Sequence, residues 1–142
     1  MTEHFIDGIV SRLRETFDLP VYTERAAQDF QRPCFAVEPG PTGQAPMPNG
    51  QYCRETEFVV AYYPAGEAAE ARRECLAVME SLFVALETVP VADGLKRGIG
   101  LRGEVVEGLL HFYVKFKVIV RRKEAKERMD EIQITVRGDK DE

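Results

Sequence analysis

The sequence predicts an α+β fold: one mixed or mostly antiparallel sheet packed against two helices, with an extended β-hairpin. Three observations carry that prediction. Residues Leu109 to Arg121 alternate apolar and polar side chains, the pattern of a half-buried antiparallel strand. Two stretches, one following Thr2 and one following Gly66, place apolar residues at spacings of three and four. The elements run as helix, two short strands, a long loop, strand, helix, hairpin and final strand, which builds one sheet backed by helices.

Thr2 is placed to cap the first helix, and Ile6, Ile9, Val10, Leu13 and Phe17 form its apolar stripe. Asp7, Ser11, Arg12, Arg14 and Glu15 make the wet face. Pro20 stops the helix, because it lacks an N–H and biases Leu19 away from helical angles. Val21 to Glu24 reads as a short strand, and 25–30 as a loop or a single helical turn. Cys34 to Glu38 is a second strand, entered through Pro33. Residues 39–50 then hold four prolines and three glycines, which predicts a long exposed loop too long for a simple hairpin connection.

From Gln51 to Tyr63 the pattern returns to strand, with Phe58, Val60 and Tyr62 on one face and Val59, Ala61 and Tyr63 on the other. Glu67 to Glu87 is the longest helix, its inner stripe being Ala71, Cys75, Val78, Met79, Leu82 and Leu86. Val89-Pro-Val ends it. The glycine-rich Gly94–Gly103 reads as hinge or loop, Leu101 to Val106 as strand, and Glu107-Gly108 as a two-residue turn. On the long strand Leu110, Phe112, Val114, Phe116, Val118 and Val120 face the core, and His111, Tyr113, Lys115, Lys117 and Arg121 face away. At about 3.4 Å per residue this strand exceeds ~40 Å, so it is expected to bend or to project beyond the sheet. A charged connector, 121–128, leads to a last strand from Met129 to Val136. The expected domain is 1–137, followed by a flexible acidic tail, 138–142.

Composition narrows the function. The 142 residues fit one domain, and with 44% apolar and 30% charged residues the chain can build a packed core. No apolar run approaches the roughly 20 residues that span a bilayer, and the N-terminus lacks the basic and apolar regions of a secretory signal. The expected location is the cytoplasm, with no membrane partner. Net charge of −5 argues against sequence-independent DNA binding, which rests on basic contacts to phosphates. Cys34, Cys53 and Cys75 fit no metal or redox spacing and read as free packing thiols. His4 and His111 have no metal-ligand spacing. Gly98-Ile-Gly-Leu-Arg-Gly103 contains the glycines of a dinucleotide fingerprint, but a helix precedes them and a hairpin follows, the reverse of what that fingerprint needs. Ser11 and Ser81, the only serines, lack a nucleophile elbow. Glu55 and Glu57 are not marked as an acid/base couple. No enzyme, metal or cofactor is expected. Lys115, Lys117, Arg121, Arg122 and Lys123 are the single basic concentration, fit for a solvated sheet face or a contact with an acidic partner.

Several words of the sequence resemble the phage tail terminator family of phages and prophages. They are Leu19-Pro-Val-Tyr-Thr-Glu24 after the first helix, Arg32-Pro-Cys-Phe-Ala-Val37, and Glu57-Phe-Val-Val-Ala-Tyr-Tyr63 before the long helix. Leu110-His-Phe-Tyr-Val-Lys-Phe-Lys-Val-Ile-Val120 and Met129-Asp-Glu-Ile-Gln-Ile-Thr-Val136 complete the set. The resemblance implies a non-enzymatic subunit of a ring, a hexamer, that caps the tail tube, ends its polymerisation and offers a head-joining surface. Its partners would be other copies of itself, the tail tube protein, and sheath and head-completion proteins. It would act in the host cytoplasm during assembly and stay in the virion tail. The contact residues expected are Lys115, Lys117, Arg121 and Arg122, with Pro46, Met47 and Asn49 of the loop. Two other readings stand beside it: a neighbouring head–tail connector, and a small ligand-binding or enzymatic domain with a groove near Gly94–Gly103.

Overall fold

The computed structural model describes residues 2–23, 31–121 and 137–138. Helix α1 (Thr2–Thr16) buries Phe5, Gly8, Ile9 and Leu13. Phe5 starts the apolar stripe one residue earlier than the sequence pattern suggested, and its ring stacks on Phe116 at 4.7 Å. Strand β1 (Val21–Tyr22) lies parallel to β2 (Cys34–Met47), which pairs antiparallel with β3 (Gln51–Tyr63). Helix α2 (Ala68–Ala85) follows, then a separate hairpin of β4 (Thr88–Val91) and β5 (Gly94–Arg97). Strands β6 (Ile99–Val106) and β7 (Leu109–Arg121) complete the main sheet, in the order β1-β2-β3-β7-β6, with β8 (Arg137–Gly138) added against β7. This is the expected mixed, mostly antiparallel sheet with two helices.

The register explains the core. Directly opposed residues share a face, so Phe35–Tyr62–Leu110 and Val37–Val60–Phe112 form continuous apolar rows across β2, β3 and β7. Phe58 and Val114 extend them. Both helices cover this inner face. Phe5 of α1 meets Phe58 and Phe116, and Phe83 of α2 meets Phe112 edge-on at 5.1 Å. The six apolar residues predicted to face inward on β7 are all buried. Glu107 and Gly108, both at positive φ, make the predicted two-residue turn between β6 and β7.

Three expectations are corrected. The stretch 39–50 is not a loop: β2 continues through it to Met47, and only Pro48–Gly50 makes the connection. Its residues from Pro41 to Gly50 are nonetheless all exposed. Prolines fit here because β2 runs at the sheet's edge beyond Ala36, where a missing N–H costs no ladder bond, and a bulge between Pro39 and Thr42 absorbs the irregularity. Strand β7 does not project alone; it pairs with β3 from Tyr62↔Leu110 to Gln51↔Arg121. Pairing with β6 reaches only Lys115. Beyond that level β2, β3 and β7 run on together as an arm.

Thirdly, Val89-Pro-Val and Gly94–Arg97 are strands, not a helix stop and a glycine loop. Their hairpin docks on α1, where Arg12 donates from Nε to the Thr88 carbonyl (2.8 Å) and from Nη2 to Thr88 Oγ1 (3.2 Å). Gly8 permits the approach, since a Cβ there would collide with the Pro90 carbonyl. Gly8→Val should therefore cost about 1–3 kcal/mol, as overpacking does, measured by chemical denaturation against wild type. The connector 122–128 and the predicted strand Met129–Val136 lie outside the described residues, as does 139–142. Gly138, expected to begin the tail, is instead strand-paired with Val118.

Candidate assembly surface

The outer face of the sheet carries no described helix. Along β7 it presents His111, Tyr113, Lys115, Lys117, Ile119 and Arg121, as alternation predicted. The cross-strand register supplies what the sequence could not show. Lys115 stands opposite Glu57, Lys117 opposite Glu55, and Arg121 opposite Gln51. The expected basic stripe is thus interleaved with a column of carboxylates on β3. Arg102 of β6 adds a second tie, its Nη2 at 3.2 Å from Glu57 Oε2 and its guanidinium 4.0 Å above the Tyr113 ring. Opposite charges on facing positions support the sheet by about 0.2–1 kcal/mol per pair. A face built this way is close to neutral.

At the end of the arm one residue from each expected contact group, Arg121 and Met47, comes into the same row. Met47, Gln51 and Arg121 occupy one row across β2, β3 and β7. Pro46 stands in the adjacent row, opposite Tyr52 and on the other face. Asn49 (φ 68°) and Gly50 (φ 70°) turn the chain in the left-handed region, which Asn and Gly tolerate best. Arg122 lies outside the described residues. Arg102, Glu55 and Glu57 are functional candidates that sequence reasoning missed. Alternation along β3 does put both glutamates on the face of Val59, but nothing local reveals that β7 lies beside them.

Residues 4–128 match a family model described as phage tail terminator protein. The chain belongs to the phage tail terminator family. No curated protein matches the sequence. Membership assigns it a structural role in the virion tail. Among the described residues no group of three or more His, Cys, Asp or Glu is placed to hold a metal ion, and no helix is long and apolar enough to cross a membrane. Two shallow depressions lie on the helices, one lined by Asp7, Ser11 and Arg14, the other by Thr16, Glu80 and Val84. Two glycines between 94 and 103 serve packing: a Cβ on Gly103 would press on Met79 Sδ at 2.7 Å, and one on Gly98 on the Leu86 carbonyl at 2.6 Å.

Two thiols and one phenol in the tail terminator's interior are pushed towards their protonated forms. Burial pushes the Cys34 thiol up, outweighing the lowering by Arg32. Burial and the Glu74 charge push Cys75 up. The Tyr62 phenol is pushed up to about 12 by burial, by the Glu74 charge and by its hydrogen bond to Glu74, with smaller contributions from Cys75 and Cys34. Folding thus favours the protonated phenol. That contribution is complete below the ordinary value of 10.0 and is lost as pH rises through about 12. Glu74 also accepts from the Gly66 N–H at 3.0 Å, so it organises the turn from β3 into α2. A thiol that stays protonated is a poor nucleophile. Cys34 and Cys75 should resist a thiol reagent at pH 8 while half-buried Cys53 reacts, with all three reacting in guanidinium.

Proposed function

We propose that this tail terminator assembles as a ring, a hexamer, on the end of the tail tube. There it stops tube polymerisation and offers the surface to which the head joins. Family membership across residues 4–128 is the observation that carries the reading. The geometry supports it with the arm, whose end brings exposed Met47 and Arg121 into one row across β2, β3 and β7. Pro46, Met47, Asn49 and Arg121 are proposed as tube contacts. Lys115, Lys117 and, from the sequence, Arg122 are proposed as flanking contacts with the tube or a neighbouring subunit. Sheath and head-completion proteins are the further partners, met in the host cytoplasm during assembly.

An assembly subunit of this kind needs unlike surfaces on its two sides, because a head-to-tail interface is what closes a ring. The test is removal of the gene from the producing phage. Tails of uncontrolled length without joined heads are expected, with normal length restored by the wild-type protein. Tails of normal length carrying heads would overturn the proposal. Tails of normal length that lack heads would instead favour the head–tail connector reading.

A further inference from the structure

We infer that neighbouring subunits join edge to edge, β2 of one copy against β6 of the next, so that one antiparallel sheet continues around the ring; this rests on the ring reading above. Among the described residues, the main sheet has an open edge on each side. β1 pairs only with Phe35 and Ala36, so no described strand lies along the outer edge of β2 from Thr42 to Met47. β6 pairs with β7 on one side and with no described strand on the other. Open edges of this kind are templates for strand addition.

Direction, face and length all fit. β2, β3, β7 and β6 alternate in direction, so repeating the unit sideways sets the next copy's β2 antiparallel to β6. Pro41 and Pro46 bracket Thr42–Ala45, a run along the open edge of β2 in which every residue has an N–H. On β6 the pairing with β7 is irregular between Ile99 and Arg102 and regular from Arg102 to Val106. Setting one regular run against the other pairs Thr42 with Val105, Gly43 with Glu104, Gln44 with Gly103 and Ala45 with Arg102. Faces agree in this register. Gly43 shares the face of Lys117 through Glu55, and Glu104 shares that of His111. A slip of one residue would mismatch every side chain.

The register also implies a closed shape. Gly43 lies at the level of Lys117 and Glu104 at the level of His111, so each copy steps about six residues along the strand direction. That is about 20 Å of rise across four strands, or about 19 Å of sheet width. The resulting strand tilt is about 45°, the upper end of what closed barrels adopt. Two level edges would give a flat ribbon; these offset edges give a tilted, closing sheet. The bracketing prolines keep each junction to four residues, so the junction is weak alone and forms on the tube.

The test is a disulfide across the junction. Gly43 accepts a side chain, since a Cβ there meets nothing within 4 Å, and Glu104 is exposed. Opposed strand residues lie about 4.5–5.5 Å apart at Cα, within disulfide reach. The double variant Gly43→Cys/Glu104→Cys, in a Cys53→Ser background, is assembled on cognate tail tubes and oxidised. A ladder of covalent multimers up to the full ring is expected, with monomers alone from Gly43→Cys/Arg14→Cys. Hydrogen exchange on the wild-type protein, independent of the variants, should slow about tenfold or more at 42–45 and 102–105 on assembly. Full rings that give neither ladder nor protection at both segments would overturn the edge pairing and leave the ring standing. Wild-type protein that stays monomeric by light scattering, with and without tubes, would remove the ring reading and this pairing with it.

Discussion

Replacing Phe116 with Ala should cost about 3–5 kcal/mol of folding stability, the largest single loss expected in this chain. Phe116 is 1% exposed in the middle of β7, its ring stacked on Phe5 at 4.7 Å and edge-on to Phe58 at 5.9 Å. It is where α1, β3 and β7 meet. Truncation removes the transfer energy of the ring and leaves a cavity that a sheet residue and a helix residue cannot both relax to fill. Domains of this kind hold about 5–15 kcal/mol in total, so about a fifth or more of the stability goes with one ring. Phe83 supplies the control. It also meets a core ring, Phe112, but is 37% exposed, so Phe83→Ala removes less buried surface and should cost about 1–2 kcal/mol. Denaturant midpoints at constant slope decide the matter. Equal losses for the two variants would mean that the ring cluster is not the centre of the core.

This centre was largely readable from the chain, and the reason is periodicity. The alternation of β7 and the three-and-four spacing of α1 are local patterns, and both survive in the fold. Phe5 escaped because it stands at the extreme start of its helix, where a stripe has no earlier turn to confirm it. The arm was misread for a different reason. Pro39, Pro41 and Pro46 are strand breakers only where their missing N–H would have bonded a neighbour. Whether a strand is an edge strand depends on what lies beside it, which no window of sequence contains. The same limit hid Glu55 and Glu57. Lys115 and Lys117 share a face by alternation, but the carboxylates opposite them come from a strand more than fifty residues earlier, and only the register joins them. The hairpin of β4 and β5 was missed because Pro90 and Gly94 are turn signals in isolation; tertiary docking on α1 through Gly8 and Arg12 overrides them.

That charge pairing decides which substitutions should disturb tube binding. Met47→Asp, at the tip of the arm, should weaken binding to tail tubes about 30-fold or more, about 2 kcal/mol, without altering the melting temperature. Met47 is 36% exposed and packs no core, so folding has little to lose. A carboxylate forced into a desolvated contact has no partner and carries its full burial cost. Arg121, in the same row, should behave similarly when changed to Ala, with a stronger dependence on salt. Lys115→Ala and Lys117→Ala should each change binding by less than about 1 kcal/mol, because each lysine faces a glutamate of its own sheet and the face is near neutral before any partner arrives. Co-sedimentation of each variant with purified tubes at two salt concentrations separates the cases. Unchanged binding by Met47→Asp, with complete loss in the two lysine variants, would move the contact from the tip of the arm to the charged face. The opposite pattern would identify the arm, drawn out past the last level of β6 pairing, as the element that grips the tube.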